Sequence, residues 1–397
     1  MITKFKMFEN INAEMSLPDD IIKIAKLYHD NNKEIFVVGG AVRDFLQGKN
    51  PHDYDLVTNA LPEESKKILN SMNVSDEQGK AFGVLRVYTK DEPNGYEIAS
   101  YRRDISGGRD TKGDDKKVEM GRHLTINDDC LRRDLTQNCL YYDINKKEII
   151  DLVGGIDDIK NGIIKAVGNA SDRFIEDRLR ILRTCRFAAR GRFKIDKKTE
   201  EAILKDNRLR NISSIDDVSQ ERIVEEFIKA VDWASDHNKL ESLHYYLESL
   251  EKYGMFEEMF PNLIINTNDI NTFNIIIIFT LLFRDNNIDK LRNQLSKYKF
   301  PGDIADPSCF LLRLRDNLEN IDKIPILYKE KIRFHVTDGT IIEFAKLYDL
   351  NFNYLQAFLK FEPVKVDIDE FKKLGLNGAD IGNEVQKRNI EKFKKLL

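Results

Sequence analysis

The chain has 397 residues, 41% of them hydrophobic, and a formal net charge of -4 at pH 7. This length predicts about two to four folding units, each with a real apolar core. The slightly acidic balance excludes binding to nucleic acid through overall charge, so any RNA contact has to come from a local basic patch. The four cysteines lack metal-binding spacing and predict reduced thiols in a cytoplasmic protein.

No membrane partner is expected from this sequence. The first fifteen residues, MITKFKMFENINAEM, contain no apolar run of signal-peptide length. The longest apolar run, residues 275–283, is too short to span a bilayer and predicts a buried helix.

The first elements in chain order alternate between helix and strand. Residues 18–31 begin with Pro and two acids and continue with apolar residues at helical spacing, which predicts a helix. Residues 35–38 form a short β-branched run that ends at Gly39–Gly40, the pattern of a strand entering a turn. A helix is predicted over 41–47 and a second strand over 54–57.

The next elements complete a mixed α/β segment. A helix is predicted over 62–72, followed by strands over 84–88 and 96–101. Residues 105–129 are Gly-rich and charged, so a loop is expected there.

After residue 151 strand signals largely disappear and helical periodicity dominates. We therefore predict an α+β chain with a mixed-sheet head (1–150), a helical neck (151–230), and a helical body and tail (231–397).

Two acids flank a single Tyr at the start of the second strand. Because side chains alternate along a strand, Asp53 and Asp55 should project to one face. Neighbouring carboxylates repel each other unless a cation lies between them. Glu97 supplies a third oxygen ligand if its strand pairs with this one. Three carboxylates facing a cavity suit Mg²⁺, and two such ions would support an in-line displacement at a phosphate.

The glycine turn distinguishes this acid pair from a solvated Asp-x-Asp in a surface turn. Backbone amides of Gly39 and Gly40, at the entry to a helix, form a cradle for phosphate. Arg43, one helical turn further on, can add a charge-assisted hydrogen bond to the same phosphates.

The stretch GGAVRDFLQGKNPHDYDLVTNA resembles the signature of class II nucleotidyltransferases of the polymerase β superfamily, which comprise tRNA CCA-adding enzymes and bacterial poly(A) polymerases. The similarity continues through five ordered blocks over roughly residues 30–230. The resemblance implies a nucleotidyltransferase head in which Asp53, Asp55 and Glu97 bind two Mg²⁺ ions. The RNA 3′-hydroxyl would then attack the α-phosphate of a nucleotide and release pyrophosphate.

The second and third blocks follow in LRRDLTQN (131–138) and DLVGGIDDIKNGIIKAVG (151–168). By resemblance, Arg133 and Asp134 contact the phosphates and sugar of the nucleotide, with Asp134 accepting a ribose hydroxyl. Gln137 replaces the usual Ile of the family and is expected on a strand. Glycines of the third block permit a bend, and its acids can cap helices.

The fourth block, EDRLRILRTCRFAARGR (176–192), is expected to be one helix. Asp177 and Arg180 are i and i+3 and would be neighbours on its surface, with Arg183 and Arg186 following at the same spacing. In the family this block selects the base. Asp177 would accept from the exocyclic amino group of cytosine or adenine, and Arg180 would donate to a ring nitrogen. Arg183 would support the pair or the triphosphate, and Arg186 is rotated farthest from Asp177. The fifth block, VSQERIVEEF (218–227), is expected to support this helix.

The resemblance implies addition of CCA to the 3′ end of tRNA from CTP and ATP. A poly(A) polymerase or A-adding enzyme acting on another RNA 3′ end is the alternative, and a non-catalytic RNA-binding protein is a third. Ala81 after Lys80 and the presence of the loop over 105–129 favour CCA addition, whereas NCLYYD (138–143) favours poly(A) synthesis. RNA contacts are expected from basic residues of the body, for which the Lys-rich end (387–395) is a candidate.

Overall fold

The computed structural model describes residues 8–75, 83–104, 118–205, 218–373 and 375–397. The chain divides into two compact units, Met1–Ser219 and Gln220–Leu397. The Lys80–Ala81 segment and residues 105–117 of the predicted loop lie outside the described residues.

The strands belong to the first unit. They are β1 (Phe8–Asn12), β2 (Ile35–Val38), β3 (Asp55–Thr58), β4 (Asn73–Ser75), β5 (Val84–Tyr88), β6 (Tyr96–Ser100), β7 (Arg102–Asp104), β8 (Val118–Met120), β9 (Leu140–Asp143), β10 (Glu148–Asp151), β11 (Ile163–Ile164) and β12 (Lys194–Ile195). Eight of them form one sheet in the order β1-β10-β9-β2-β3-β6-β5-β4, while β7 pairs with β8 and β11 with β12. Within the large sheet β3 and β6 are parallel, and the other pairs are antiparallel.

The helices of the first unit are α1 (Asp19–Asp30), α2 (Gly40–Leu46), α3 (Pro62–Ile68), α4 (Ile126–Leu131), α5 (Gly155–Lys160), α6 (Ala170–Glu176), α7 (Leu179–Gly191) and α8 (Lys197–Lys205). The predicted elements of the head are confirmed within one or two residues, except that α3 ends early. Asn70 and Ser71 follow that end, and both favour turns over helix.

Strand β8 and the start of helix α4 form where the sequence predicted only loop. Thr125 starts the helix with a capping box, because the Thr125 backbone N–H and hydroxyl lie 2.8 and 2.9 Å from Asp128 Oδ2. A reciprocal cap of this kind satisfies the first amides of a short helix. The expectation of a strand at Gln137 is also wrong, since Thr136–Asn138 form a single turn of 3₁₀ helix.

The sheet separates two apolar clusters. Val37 and Leu56 project into one, where they pack with Tyr28 of α1. Val38 and Val57 project into the other, which also holds Tyr141 of β9, and this second face carries the predicted site. The alternation arises because successive residues of a strand point to opposite faces.

The hinge block is capped as predicted. Asp151 Oδ1 accepts hydrogen bonds from the backbone N–H groups of Val153, Gly154 and Gly155 at 2.8–3.1 Å, and its Oδ2 accepts from Ile156 at 2.9 Å. One carboxylate thus satisfies the amides at the start of α5.

The second unit is helical in its described part. Its helices are α9 (Gln220–Asp236), α10 (Leu240–Lys252), α11 (Met255–Met259), α12 (Ile275–Phe283), α13 (Ile288–Lys297), α14 (Gly302–Asn317), α15 (Ile324–Arg333), α16 (Asp338–Leu347), α17 (Phe352–Lys360), α18 (Ile368–Lys373) and α19 (Gly378–Lys394). The predicted buried helix over the apolar run is confirmed as α12, whose Phe279 packs against Phe227 with ring centroids 5.8 Å apart. No helix in the described part of the chain combines the length and apolar character needed to cross a bilayer.

Candidate active site

One row of neighbouring residues crosses the sheet where β2 ends at the glycine turn. Val38 of β2 pairs with Tyr141 of β9 on one side and with Asp55 of β3 on the other. The parallel register of β3 and β6 brings Asp55 next to Glu97, and Glu97 pairs with Arg86 of β5. Paired residues on adjacent strands share a face of the sheet. The predicted pairing of the two acidic strands is therefore confirmed.

The two aspartates of this region carry raised pKa values, and neighbouring acids contribute to both. Asp53 and Asp55 are both exposed, with Tyr54 buried between them. Although Asp55 is exposed at the surface, the protein atoms packed around its carboxylate limit its hydration and raise its pKa to about 6. The charges of Asp53 and Glu97 add to this rise, and the charge of Arg133 opposes it. Burial and the charge of Glu97 likewise raise the pKa of Asp53. Perturbed carboxylates in one region are typical of a functional site.

The glycine turn lies beside this acidic site. Gly39 has φ +75° and ψ -120°, a backbone conformation that only glycine adopts without strain, and Gly40 begins α2. A side chain at position 39 would begin 3.8 Å from Arg133 Nη1. Because Arg133 also affects the pKa of Asp55, the turn, this guanidinium and the acids surround one region.

Arg43 has protein partners at the same turn. Its Nη1 donates to Asn138 Oδ1 at 2.9 Å, and its Nε donates to Asp44 Oδ1 at 3.0 Å. The side chain is buried, so it joins α2 to the 3₁₀ turn that contains Asn138. Its predicted contact with a phosphate stays a prediction.

A buried carboxylate fixes Arg133. Asp129 is fully buried and accepts hydrogen bonds from Arg132 Nε, Arg133 Nε and the Tyr141 hydroxyl, each at 2.9 Å. Burial alone would raise the pKa of Asp129, but the charges of Arg133 and Arg132 outweigh it and hold that pKa at about 2. Asp129 and Tyr141 therefore orient Arg133 toward the glycine turn.

Asp134 joins the second block to α7. Its Oδ2 accepts from Arg183 Nε at 2.7 Å, and its Oδ1 accepts from Asn138 Nδ2 at 3.1 Å and the Leu135 N–H at 2.8 Å. The carboxylate is buried, which opposes ionisation, yet the charge of Arg183 and these hydrogen bonds hold its pKa well below the ordinary value. Arg183 of α7 therefore contacts the second block (131–138) through Asp134.

The prediction of one helix over 176–192 is wrong at its start. Helix α6 ends at Glu176, and Asp177 is extended, with φ -153° and ψ 105°. Asp177 Oδ1 accepts from the Leu179 N–H at 3.2 Å, the contact of a residue that caps a helix rather than one that continues it. Asp177 and Arg180 are therefore not i,i+3 neighbours on one helix.

Arg180 is buried and joins the neck to the head. Its guanidinium donates to Glu176 Oε2 at 2.7 Å, to the Arg173 carbonyl at 3.0 Å and to the Arg132 carbonyl at 2.8 Å. Selection of the base by Asp177 and Arg180 stays a prediction.

Four arginines lie around the aromatic ring of Phe187, in the C-terminal half of α7. The guanidinium carbons of Arg43, Arg183, Arg186 and Arg190 lie 5.0, 5.5, 4.5 and 5.2 Å from the centroid of Phe187. These distances are within the range of cation–π attraction. The ring of Phe187 therefore attracts four guanidinium groups whose like charges repel one another. Arg186 and Arg43 both belong to this cluster.

Comparison with known proteins identifies the family. Residues 35–165 match the model of the poly A polymerase head domain, and residues 192–265 match that of a probable RNA and SrmB-binding site of polymerase A. The CCA-adding enzyme of Ligilactobacillus salivarius is 31% identical over 93% of this chain and 88% of that protein. The chain belongs to the family of CCA-adding enzymes and bacterial poly(A) polymerases. Its enzymatic class is therefore nucleotidyltransferase.

Two further family members define the extent of the similarity. The CCA-adding enzyme of Lactobacillus helveticus is 38% identical, over 54% of this chain and 50% of that protein. The crystal structure of the Bacillus stearothermophilus CCA-adding enzyme in complex with CTP shares the fold, with a TM-score of 0.68 and 22% identity over 95% of this chain and 92% of that one.

The acids fit the metal dependence of this family. Asp53, Asp55 and Glu97 supply only oxygen donors, and their mutual repulsion is what a cation would relieve. Among the described residues, no group of three acidic, histidine or cysteine side chains is close enough to coordinate one metal ion. Glu97 is instead paired with Arg86.

Several residues that organise the site were missed from the sequence. Arg86, Tyr141 and Phe187 have partners in other elements of the fold, and no local motif marks them. Asp129 had the strongest available signal, because an acid three and four residues before two arginines predicts ion pairs on a helix.

Proposed function

We propose that this nucleotidyltransferase adds CCA to the 3′ end of tRNA, using CTP and ATP without a nucleic-acid template. The similarity to the Ligilactobacillus salivarius CCA-adding enzyme over 93% of this chain is the observation that carries the proposal. The free, buried cysteines fit the reducing cytoplasm in which we expect the enzyme to act.

The head residues have distinct tasks in this proposal. The amides of the Gly39–Gly40 turn, together with Arg133, bind and orient the triphosphate. Asp53, Asp55 and Glu97 would hold two Mg²⁺ ions. These ions, when bound, would lower the pKa of the RNA 3′-hydroxyl and neutralise charge at the leaving pyrophosphate.

The neck (151–230) is assigned to base selection, and the body and tail (231–397) to RNA. The Arg180 backbone N–H donates to the Asp177 carbonyl at 3.1 Å, and the Arg180 guanidinium is fixed by three contacts. The region therefore has the rigidity that selection by hydrogen bonds requires. Residues 192–265, which span the end of the neck and the start of the body, match a probable RNA-binding site, and this match supports contact with RNA there.

Poly(A) synthesis is the alternative, because the family model for the head is named after that activity. The test incubates the protein with a tRNA transcript that lacks CCA and, separately, with an unstructured RNA, supplying CTP and ATP together. We expect three added nucleotides on the tRNA only. Long A tails on both RNAs would favour the alternative, and incorporation on neither would favour a non-catalytic RNA-binding protein.

A further inference from the structure

Arg86 forms an ion pair with the third acid of the site. It lies directly across from Glu97 in the antiparallel pair of β5 and β6, and its Nη2 donates to Glu97 Oε1. The exposed fractions of the two side chains are 36% and 46%, so solvent and a small ion can reach both.

The backbone of the β5–β6 turn fixes the direction of Arg86. A side chain at position 95 would begin 2.5 Å from Arg86 Cγ and 3.1 Å from its Cδ. Gly95 also has φ +81°, which favours glycine. The aliphatic part of Arg86 therefore lies over Gly95, and this contact aims the guanidinium along the sheet toward Glu97.

The charge of Arg86 extends beyond Glu97. Its guanidinium is bonded to the Glu97 carboxylate, and the strand of Glu97 is the parallel neighbour of the strand that carries Asp55. Arg86 thus supplies, inside the acidic site, the positive charge that a bound cation would supply there.

We propose that Arg86 is a positioning residue that holds Glu97 while the site has no metal and competes with the divalent cation for that carboxylate. The inference rests on the proposed function, because it takes Asp53, Asp55 and Glu97 as the ligands. An arginine that neutralises one ligand lowers the affinity for the ion and keeps the acids from repelling one another before the ion arrives.

The test measures cation binding rather than catalysis. Mn²⁺ is titrated into the full chain without nucleotide or RNA, and free Mn²⁺ is followed by electron paramagnetic resonance. One positive charge near a divalent ion in a solvated site changes its affinity about three- to tenfold, so we expect Arg86→Gln to lower the Kd for Mn²⁺ by that factor. Arg86→Lys, which keeps the charge, should stay within about twofold of the parent chain.

A matched control removes a similar pair elsewhere. Arg103 of β7 lies across from Glu119 of β8, with Arg103 Nη1 at 3.5 Å from Glu119 Oε2. Arg103→Gln also deletes a cross-strand arginine, and we expect no change in the Kd for Mn²⁺.

The variant Asp55→Ala distinguishes a failure of the metal assignment from a failure of the inference about Arg86. If this variant binds Mn²⁺ as well as the parent does, the three acids are not the cation site, and both the metal assignment and the inference fail. If Asp55→Ala loses binding while Arg86→Gln binds as the parent does or more weakly, Arg86 does not compete with the ion, and the proposed function stands without it.

Discussion

The ion pair between Asp134 and Arg183 gives the sharpest prediction about how the head is held to the neck. Asp134→Asn keeps a side chain of the same shape and removes the charge that Arg183 contacts at 2.7 Å. A hydrogen bond between charged groups contributes about 1.5–3 kcal/mol to the free energy of unfolding. Since Arg183 is 33% exposed, solvent screening reduces the expected coupling to about 1–2 kcal/mol.

The pH dependence has a definite sign. The pKa of Asp134 is lower in the folded protein than in the unfolded chain, where an aspartate titrates near about 3.9. Its stabilising effect is therefore complete above that pH and is lost as the pH falls toward the folded-state pKa. The difference in unfolding free energy between the parent and Asp134→Asn should be constant from pH 6 to 8 and should shrink below about pH 4.

The assay is a double-mutant cycle of the parent, Asp134→Asn, Arg183→Gln and the double variant. The single tryptophan, Trp233, lies in the second unit, so its fluorescence does not report on this pair. Urea unfolding is instead followed by hydrogen exchange of peptides from the first unit. Arg122→Gln, which removes an exposed pair with Glu64, is the control and should change stability by less than about 0.5 kcal/mol. A coupling energy below about 0.3 kcal/mol between Asp134 and Arg183 would refute the reasoning.

Three further predictions concern single positions. Because the folded-state pKa of Asp55 is about 6, above its unfolded value, its charge destabilises the metal-free protein at high pH. Asp55→Asn should therefore raise the Tm at pH 8, and this gain should disappear toward pH 4. In Gly155→Ala the new Cβ would lie 2.3 Å from the Thr136 carbonyl oxygen, so we expect a loss of about 1–3 kcal/mol in urea unfolding. Gly382→Ala, which adds a Cβ in open space within a helix, should lose no stability. Phe187→Leu removes the ring among four guanidiniums and should raise the KM for ATP and CTP, with an unchanged KM arguing against a role for the cluster in nucleotide binding.

Local chemistry explains which features were predictable from the sequence. The β-branched run that ends at Gly39–Gly40 identified both β2 and its turn. Strand β3 begins at Asp55, so Asp53 precedes the strand on which alternation had placed it. Asp177 was misplaced because an acid before a run of arginines continues a helix as readily as it caps the next one. Only the extended backbone at Asp177 distinguishes the two.

Contacts between distant parts of the chain account for what was missed. Arg86 and Glu97 become partners only through the register of β5 and β6, and Phe187 meets Arg43 only after α7 has packed against the head. No periodicity or motif in the sequence indicates either of these two contacts.

The second block, residues 131–138, connects the separate parts of the proposed site. Arg133 faces the glycine turn, Asp134 holds Arg183 of α7, and the Arg132 carbonyl accepts from Arg180. Because these three residues are consecutive, a displacement of α7 would also move Arg133, for which we propose binding to the triphosphate. The geometry thus links the region assigned to base selection with the region assigned to phosphate binding through one short, buried segment. An incorrect base that displaces α7 would also misplace the triphosphate, so selection would lower the rate of incorporation as well as the affinity for the nucleotide.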